Sequence, residues 1–309
     1  MQKEKFIDFI ITQKCTYNCV YCSQSKCETK NKNSANKKTL KNFLSFLDKI
    51  EKDFEITITG GEAISHPDFF DLIEKIKDKG FKINLISNFS FDIENYKKVF
   101  EILDETLINY DISFHFSEII KQYKNIDILI KKLENFLFFK PKTTSVTFLF
   151  PMYDMDNKKT NILNTLLEFA KKHEIKTTYQ QIRFLDNYLD KQTKKQKTFS
   201  KICYAGAKSA VIYEDGSVYR CYSSRFFKSN FLGNINDKNF KLFKKPIPCV
   251  FNSCNCPKPI IYNQLTEKKN LPLASLYRIL NFVYLPFFIL KNTSIIKTKI
   301  LQLKNITKQ

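Results

Sequence analysis

The chain has 309 residues, enough to bury one barrel-sized core with a smaller appendage. With 43% hydrophobic and 15% aromatic residues it reads as globular, which excludes a disordered tail or linker. The net charge of +20 raises a polyanion partner, but lysine is spread along the whole chain and KNKNSANKK reads as compositional drift. No nucleic-acid-binding signature accompanies the charge, so no nucleic-acid partner is expected.

From Phe6 to about Phe184, apolar runs of strand length alternate with segments of helical period. The expected strands are FIDFII (6–11), FEITIT (54–59), FKINLIS (81–87), LINYDISFHF (107–116), SVTFLF (145–150) and TTYQQIRF (177–184). LKNFLSFLDKIEK, FFDLIEKIKDKG and IDILIKKLENFLFF repeat their apolar residues at three- and four-residue spacing, as amphipathic helices do. In SHPDFF, Pro67 suits the first helical position and Ser65 or His66 the cap. Six alternating units predict an α/β chain with a parallel sheet, a partial (β/α)6 barrel over residues 1–189.

A Lys/Gln/Thr-rich linker, DKQTKKQKTF (190–199), leads into a small cysteine-rich unit, 190–260. The remainder, 261–309, is a basic helical tail. Its apolar run ILNFVYLPFFIL (279–290) holds Pro286 and is too short to span a membrane. It reads as a helix packed on the barrel, or as one in peripheral contact with a membrane surface.

No apolar run of signal-peptide length opens MQKEKFIDFI, so a cytoplasmic chain is expected. Nine cysteines in such a chain argue for metal or redox chemistry over a disulfide framework. Cys15, Cys19, Cys22 and Cys27 form one group, and Cys203, Cys221, Cys249, Cys254 and Cys256 the other.

Cys15, Cys19 and Cys22 form C-x3-C-x2-C directly after the first strand. Three thiolates on one tight loop suit an iron–sulfur cube and leave one of its irons open for chemistry. Zinc competes if Cys27 supplies a fourth thiolate; otherwise Cys27 is a spare thiol. The spacing, with aromatic Tyr21 before the third cysteine, resembles the radical S-adenosylmethionine (SAM) superfamily. The resemblance covers about residues 6–184. It implies a [4Fe–4S] cluster whose open iron binds SAM, reductive cleavage to a 5′-deoxyadenosyl radical, and an electron donor such as flavodoxin or ferredoxin.

Barrel sites lie at the carboxyl ends of strands, and polar features fall there. Gly60-Gly61-Glu62 resembles the family's motif for the methionyl ammonium of SAM: glycines let backbone approach and a carboxylate pairs with a cation. Ser87-Asn88 resembles the pair that contacts the ribose and carboxylate, with Phe89 where the family often has glycine. Strand four offers Ser113 and His115, and strand six Gln181 and Arg183, the latter a candidate for the SAM carboxylate or a structural ion pair. His115 reads as a barrel residue or a catalyst, His66 and His173 as cap and helix-end residues. Asp111, Tyr153, Asp154, Tyr179 and Asp186 lie near strand ends, and none is assigned as the catalytic acid or base.

Cys203-x12-Gly216-x4-Cys221 encloses AVIYEDGSVYRC, a β-hairpin turning at Glu-Asp-Gly and expected to bring both thiolates together. With Cys249, Cys254 and Cys256 it resembles the SPASM and twitch extensions, and five cysteines fit a twitch-like unit with one auxiliary [4Fe–4S] cluster. Cys203, Cys221 and Cys254 lead, Cys256 and Cys249 compete for the last place, and zinc is the alternative. Relatives with such extensions mostly modify peptides or proteins. A small or carbohydrate-type metabolite is the alternative substrate, and a non-catalytic metal or redox protein the third reading.

Overall fold

The structure, a computed structural model, describes residues 5–22, 33–123, 125–181, 201–226, 230–248 and 266–267. Cys27, the linker 190–199, Arg183, Asp186, Cys249, Cys254, Cys256 and the apolar tail lie outside the described residues.

Six strands, β1 (Lys5–Thr12), β2 (Phe54–Gly60), β3 (Lys82–Ser87), β4 (Leu107–Ser113), β5 (Ser145–Met152) and β6 (Lys176–Gln181), run side by side in sequence order. Every neighbouring pair among them is parallel. The crossovers carry helices α1 (Lys37–Leu47), α2 (Phe69–Asp78), α3 (Ile93–Leu103), α4 (Phe116–Gln122), α5 (Ile126–Phe139) and α6 (Asn157–Lys172). A parallel sheet clothed by its own crossover helices is the expected outcome of alternating units. The expected mostly parallel α/β fold is therefore present.

Strand alternation separates two faces. Ile7, Phe9 and Ile11 of β1, Ile56 and Ile58 of β2, and Ile83 and Leu85 of β3 pack with Leu40, Phe43 and Phe46 of α1 and Leu72, Ile73 and Ile76 of α2 in one large core. The helical spacing of those apolar residues turns one stripe of each helix onto the sheet. Each such fully buried side chain contributes about 1.5–3 kcal/mol. Ile10 belongs to the other face, where it packs with Val211 and Tyr213. Period-two geometry therefore puts Asp8, Thr57, Asn84 and Asn109 on that second face, and their register aligns them across four strands.

Two helix starts differ from expectation. α2 begins at Phe69, after a 3₁₀ turn at Ala63–Ser65, so Pro67 precedes the helix instead of opening it. His66 still steadies this start, because its Nδ1 accepts from the Asp68 backbone N–H at 3.1 Å while its Nε2 meets the Ala35 carbonyl at 2.8 Å. The fourth strand ends at Ser113, three residues early, because the His115 carbonyl accepts the first helical bonds from Glu118 and Ile119. His115 thus stands in the strand-to-helix turn.

The C-terminal unit contains β7 (Lys201–Cys203), β8 (Ser209–Ile212), β9 (Ser217–Tyr219), a short helix α7 (Tyr222–Phe226), β10 (Phe231–Asn234), β11 (Ile247–Pro248) and β12 (Thr266–Glu267). The expected hairpin is present as antiparallel β8 and β9, with Gly216 at φ +82° in its turn. β8 also pairs parallel with β1, giving a nine-stranded sheet in the order β10-β9-β8-β1-β2-β3-β4-β5-β6. One expectation fails: Cys203 is not on the hairpin but on β7, in a separate three-stranded sheet with β11 and β12. The chain turns at Gly206 (φ +94°) between Cys203 and β8, which removes that thiolate from the hairpin's own register.

Candidate active site

The cysteine loop leaves the carboxyl end of β1 and carries Cys15, Cys19 and Cys22, all half-buried. Its backbone closes on itself, with the Cys22 N–H bonded to the Cys19 carbonyl at 3.0 Å and the Tyr17 N–H 3.4 Å from Cys15 Sγ. Burial, with Glu118 and the neighbouring thiols adding repulsion, pushes the Cys19 thiol up to about 12. That thiol holds its proton at neutral pH, and serving as a thiolate ligand to an iron–sulfur cluster would require its release. Among the described residues no three His, Cys, Asp or Glu side chains converge on a single ion position. Thiolates that serve different corners of a cube have no need to converge in that way.

Gly60 and Gly61 press this loop from beneath. A Cβ on Gly61 would lie 2.2 Å from the Lys14 carbonyl oxygen, and one on Gly60 2.5 Å from that of Thr12. The glycines admit the backbone of the cysteine loop itself, where ligand approach was the expected reason. The Gly61 and Glu62 N–H groups then bond Thr12 and Lys14 carbonyls at 2.7 and 2.8 Å.

Glu62 is fully buried. Its Oε2 accepts from Ser87 Oγ at 3.1 Å and from the Asn88 N–H at 2.7 Å, while Oε1 meets no hydrogen-bond partner among the described residues. Burial outweighs these bonds and pushes the carboxyl up to about 7. A buried carboxyl oxygen with no partner among the described residues, linked through Asn88 to Cys15, is what an ammonium-bearing ligand would satisfy. Asn88 closes the corner, its amide 3.4 Å from Cys15 Sγ and 3.0 Å from Thr16 Oγ1. Gly60, Gly61, Glu62 and Asn88 thus meet the chain that carries the cysteines, with Ser87 bonded to Glu62, and the residues present fit a cluster with SAM on it.

Tyr21 lies against the Cys19 thiol and reaches across to His115. Its hydroxyl lies 2.8 Å from His115 Nδ1, its ring stacks on His115 at 5.8 Å, and Tyr153 covers it at 5.0 Å. Burial lowers His115 to about 4, so the imidazole that shares this hydrogen bond with the phenol is neutral at ordinary pH.

Other candidates lie apart from the thiols. Ser113 is buried, and Asp111 accepts from Asn109 Nδ2 at 2.5 Å. Asp154 pairs with Lys159 at the start of α6, Tyr179 is exposed against Phe150, and His173 packs on Phe169 at the helix end.

At the second cysteine group, Cys203 is buried and Cys221, just after β9, is half-buried. The buried Arg220 ties the two segments together. Its guanidinium donates to the carbonyls of Ala205 at 2.8 Å, Cys203 at 3.4 Å and Ile247 at 3.1 Å. Arg220 was not singled out from sequence, where it is one basic residue beside a cysteine. Glu214, in the hairpin turn, was also missed: it accepts from Gln13, two residues before Cys15, and from Arg225 at 3.3 Å. The Gln13–Glu214 pair spans 201 positions and leaves no local signal.

Residues 9–155 match the protein-family profile described as the radical SAM superfamily. An uncharacterized protein of Methanocaldococcus jannaschii is 29% identical, over 74% of this chain and 88% of its own. Among solved structures, Streptococcus suis SuiB bound to precursor peptide SuiA aligns with a TM-score of 0.50 at 12% identity, covering 77% of this chain. This chain spans 64% of SuiB, and the likeness shows the fold alone. BtrN in complex with AdoMet and 2-DOIA aligns with a TM-score of 0.48 at 13% identity, over 76% of this chain and 79% of its own.

Proposed function

We propose that this chain, with its radical SAM superfamily domain over residues 9–155, is an enzyme that cleaves SAM reductively and abstracts hydrogen from a peptide or protein substrate to modify it. The observation that carries the chemistry is the corner at Cys15, Glu62 and Asn88, where an unpartnered buried carboxylate oxygen adjoins the cysteine loop. When bound, a [4Fe–4S] cluster and SAM supply the electron, the sulfonium cleavage and the 5′-deoxyadenosyl radical. The chain's own part is to hold both. Cys15, Cys19 and Cys22 ligate, Glu62 receives the methionyl ammonium, and Ser87 and Asn88 fix the carboxylate corner. Arg183 is proposed for the SAM carboxylate.

Cys203, Cys221 and Cys254, with Cys256 or Cys249, are proposed to hold one auxiliary [4Fe–4S] cluster in a twitch-like unit over 190–260. The electron enters from a flavodoxin or ferredoxin. The peptide reading rests on the resemblance of this extension to those of peptide-modifying enzymes.

A compact polar metabolite is the second reading. It is favoured by the polar row Asp8, Thr57, Asn84 and Asn109 on the face of the sheet opposite the large core, where the buried Thr57 hydroxyl has no partner among the described residues.

The test is anaerobic reconstitution with iron and sulfide, followed by dithionite and SAM and an assay for 5′-deoxyadenosine. About eight irons per chain are expected for two cubes. The product is expected to vanish in the Cys15/Cys19/Cys22→Ala variant. Full iron loading with no 5′-deoxyadenosine, under either peptide or polyol substrates, would remove the enzymatic reading.

A further inference from the structure

Phe89 breaks a local rule. Its φ is +62°, in the left-handed region that residues with a Cβ rarely adopt. The side chain is nonetheless buried, 1% exposed, with its ring stacked on Tyr96 at 4.7 Å and edge-on to Phe136 at 5.2 Å. Such a conformation persists only where its surroundings over-determine it.

The surroundings converge on Lys132 of α5. Its ammonium donates to the Phe89 carbonyl at 2.8 Å and to Tyr123 Oη at 3.2 Å, and it sits 4.4 Å above the Phe89 ring. One cation therefore holds both the backbone and the ring of the strained residue. Burial lowers the lysine to about 8, and it still carries its charge at neutral pH.

The strained residue directly follows Asn88, whose N–H reaches Glu62 and whose amide reaches Cys15 and Thr16. A relaxed φ at Phe89 would swing the chain that presents these groups. We propose that Lys132 is a positioning residue of the SAM-binding corner: by clamping Phe89 in its left-handed conformation, it holds Asn88 between Glu62 and the cysteine loop. The inference rests on the reading of that corner as the SAM site.

Two measurements on Lys132→Met test it, since Met keeps the apolar stem and removes the ammonium. Replacing a partly dry charge by an apolar side chain of similar length leaves the fold intact. In the cluster-free chain, amide exchange of the 87–91 segment is expected to accelerate about tenfold while the strands around it are unchanged. In the reconstituted protein, iron content is expected to match wild type while SAM binds about tenfold more weakly, read from the SAM-induced change in the spectrum of the reduced cluster. Lys132→Arg, which retains a cationic donor, is expected to stay close to wild type in both.

Wild-type exchange in the 87–91 segment, or wild-type SAM affinity, in Lys132→Met would overturn the proposal. A wild-type protein that loads iron yet binds no SAM would overturn the reading of the site instead. The exchange measurement would then still decide whether Lys132 clamps Phe89.

Discussion

Tyr21 Oη and His115 Nδ1 lie 2.8 Å apart although 94 positions separate them, so the cysteine loop is fastened to the mouth of β4 by a phenol–imidazole bond. Burial lowers His115 to about 4, because its surroundings disfavour the charged ring. A histidine whose folded value lies below its ordinary 6.5 binds fewer protons folded than unfolded between those values. Its stabilising contribution is complete above about pH 6.5 and is lost as pH falls toward 4, a change of roughly 3 kcal/mol. Urea midpoints of wild type and His115→Gln at pH 7.5 and 4.5 check this. Wild type is expected to lose more stability over that interval, and equal losses would remove His115 as the cause.

Glu62 works in the opposite sense. Its carboxyl is held up near 7, so without ligand it is largely protonated at pH 6, and charging it costs the fold stability as pH rises through 7. An ammonium ligand reverses that cost. SAM affinity is expected to rise between pH 6 and 8, by at most about tenfold per unit below the carboxyl's value. Glu62→Gln should bind weakly with a flat profile over the same interval. A wild-type profile as flat as the variant's would detach Glu62 from the ammonium.

Gly61→Ala places a methyl 2.2 Å from the Lys14 carbonyl oxygen and 2.7 Å from that of Gln13, so this backbone leaves it no room. The cost is expected at about 1–3 kcal/mol, because the turn and the cysteine loop must part. The loop should then load less iron at the first site, while iron at the second site stays constant. Undiminished loading with an unchanged melting temperature would show that the close packing is dispensable.

Cys203→Ala and Cys221→Ala are each expected to lower iron from about eight to about four per chain and to spare SAM cleavage. Arg220→Met should do the same through geometry. It leaves the carbonyls of Cys203, Ala205 and Ile247 without their shared donor, at about 1–3 kcal/mol for an unmet buried group. Zinc in place of the missing iron in wild-type protein would assign the second site to a structural metal.

The sequence by itself determined the barrel strands, the cysteine loop and the Gly-Gly-Glu and Ser-Asn corners. Each is a local pattern: Ile7, Phe9 and Ile11 read as a buried strand wherever they pack, and Cys15, Cys19 and Cys22 share one loop whatever surrounds it. The antiparallel hairpin around Gly216 was legible for the same reason. Only the tertiary structure decided what these pieces touch. It put Cys203 on a separate sheet, tied Gln13 to Glu214, turned Gly60 and Gly61 against the cysteine loop, and set Lys132 over Phe89. Phe89 was visible as a departure, but its left-handed backbone was not, since φ is fixed by contacts from α3 and α5. Lys132 lies in an amphipathic helix, where a lysine ordinarily means water. The difference is physical: periodicity records which face is apolar, whereas hydrogen-bond partners and close approaches come from chain segments that meet only after the sheet has formed.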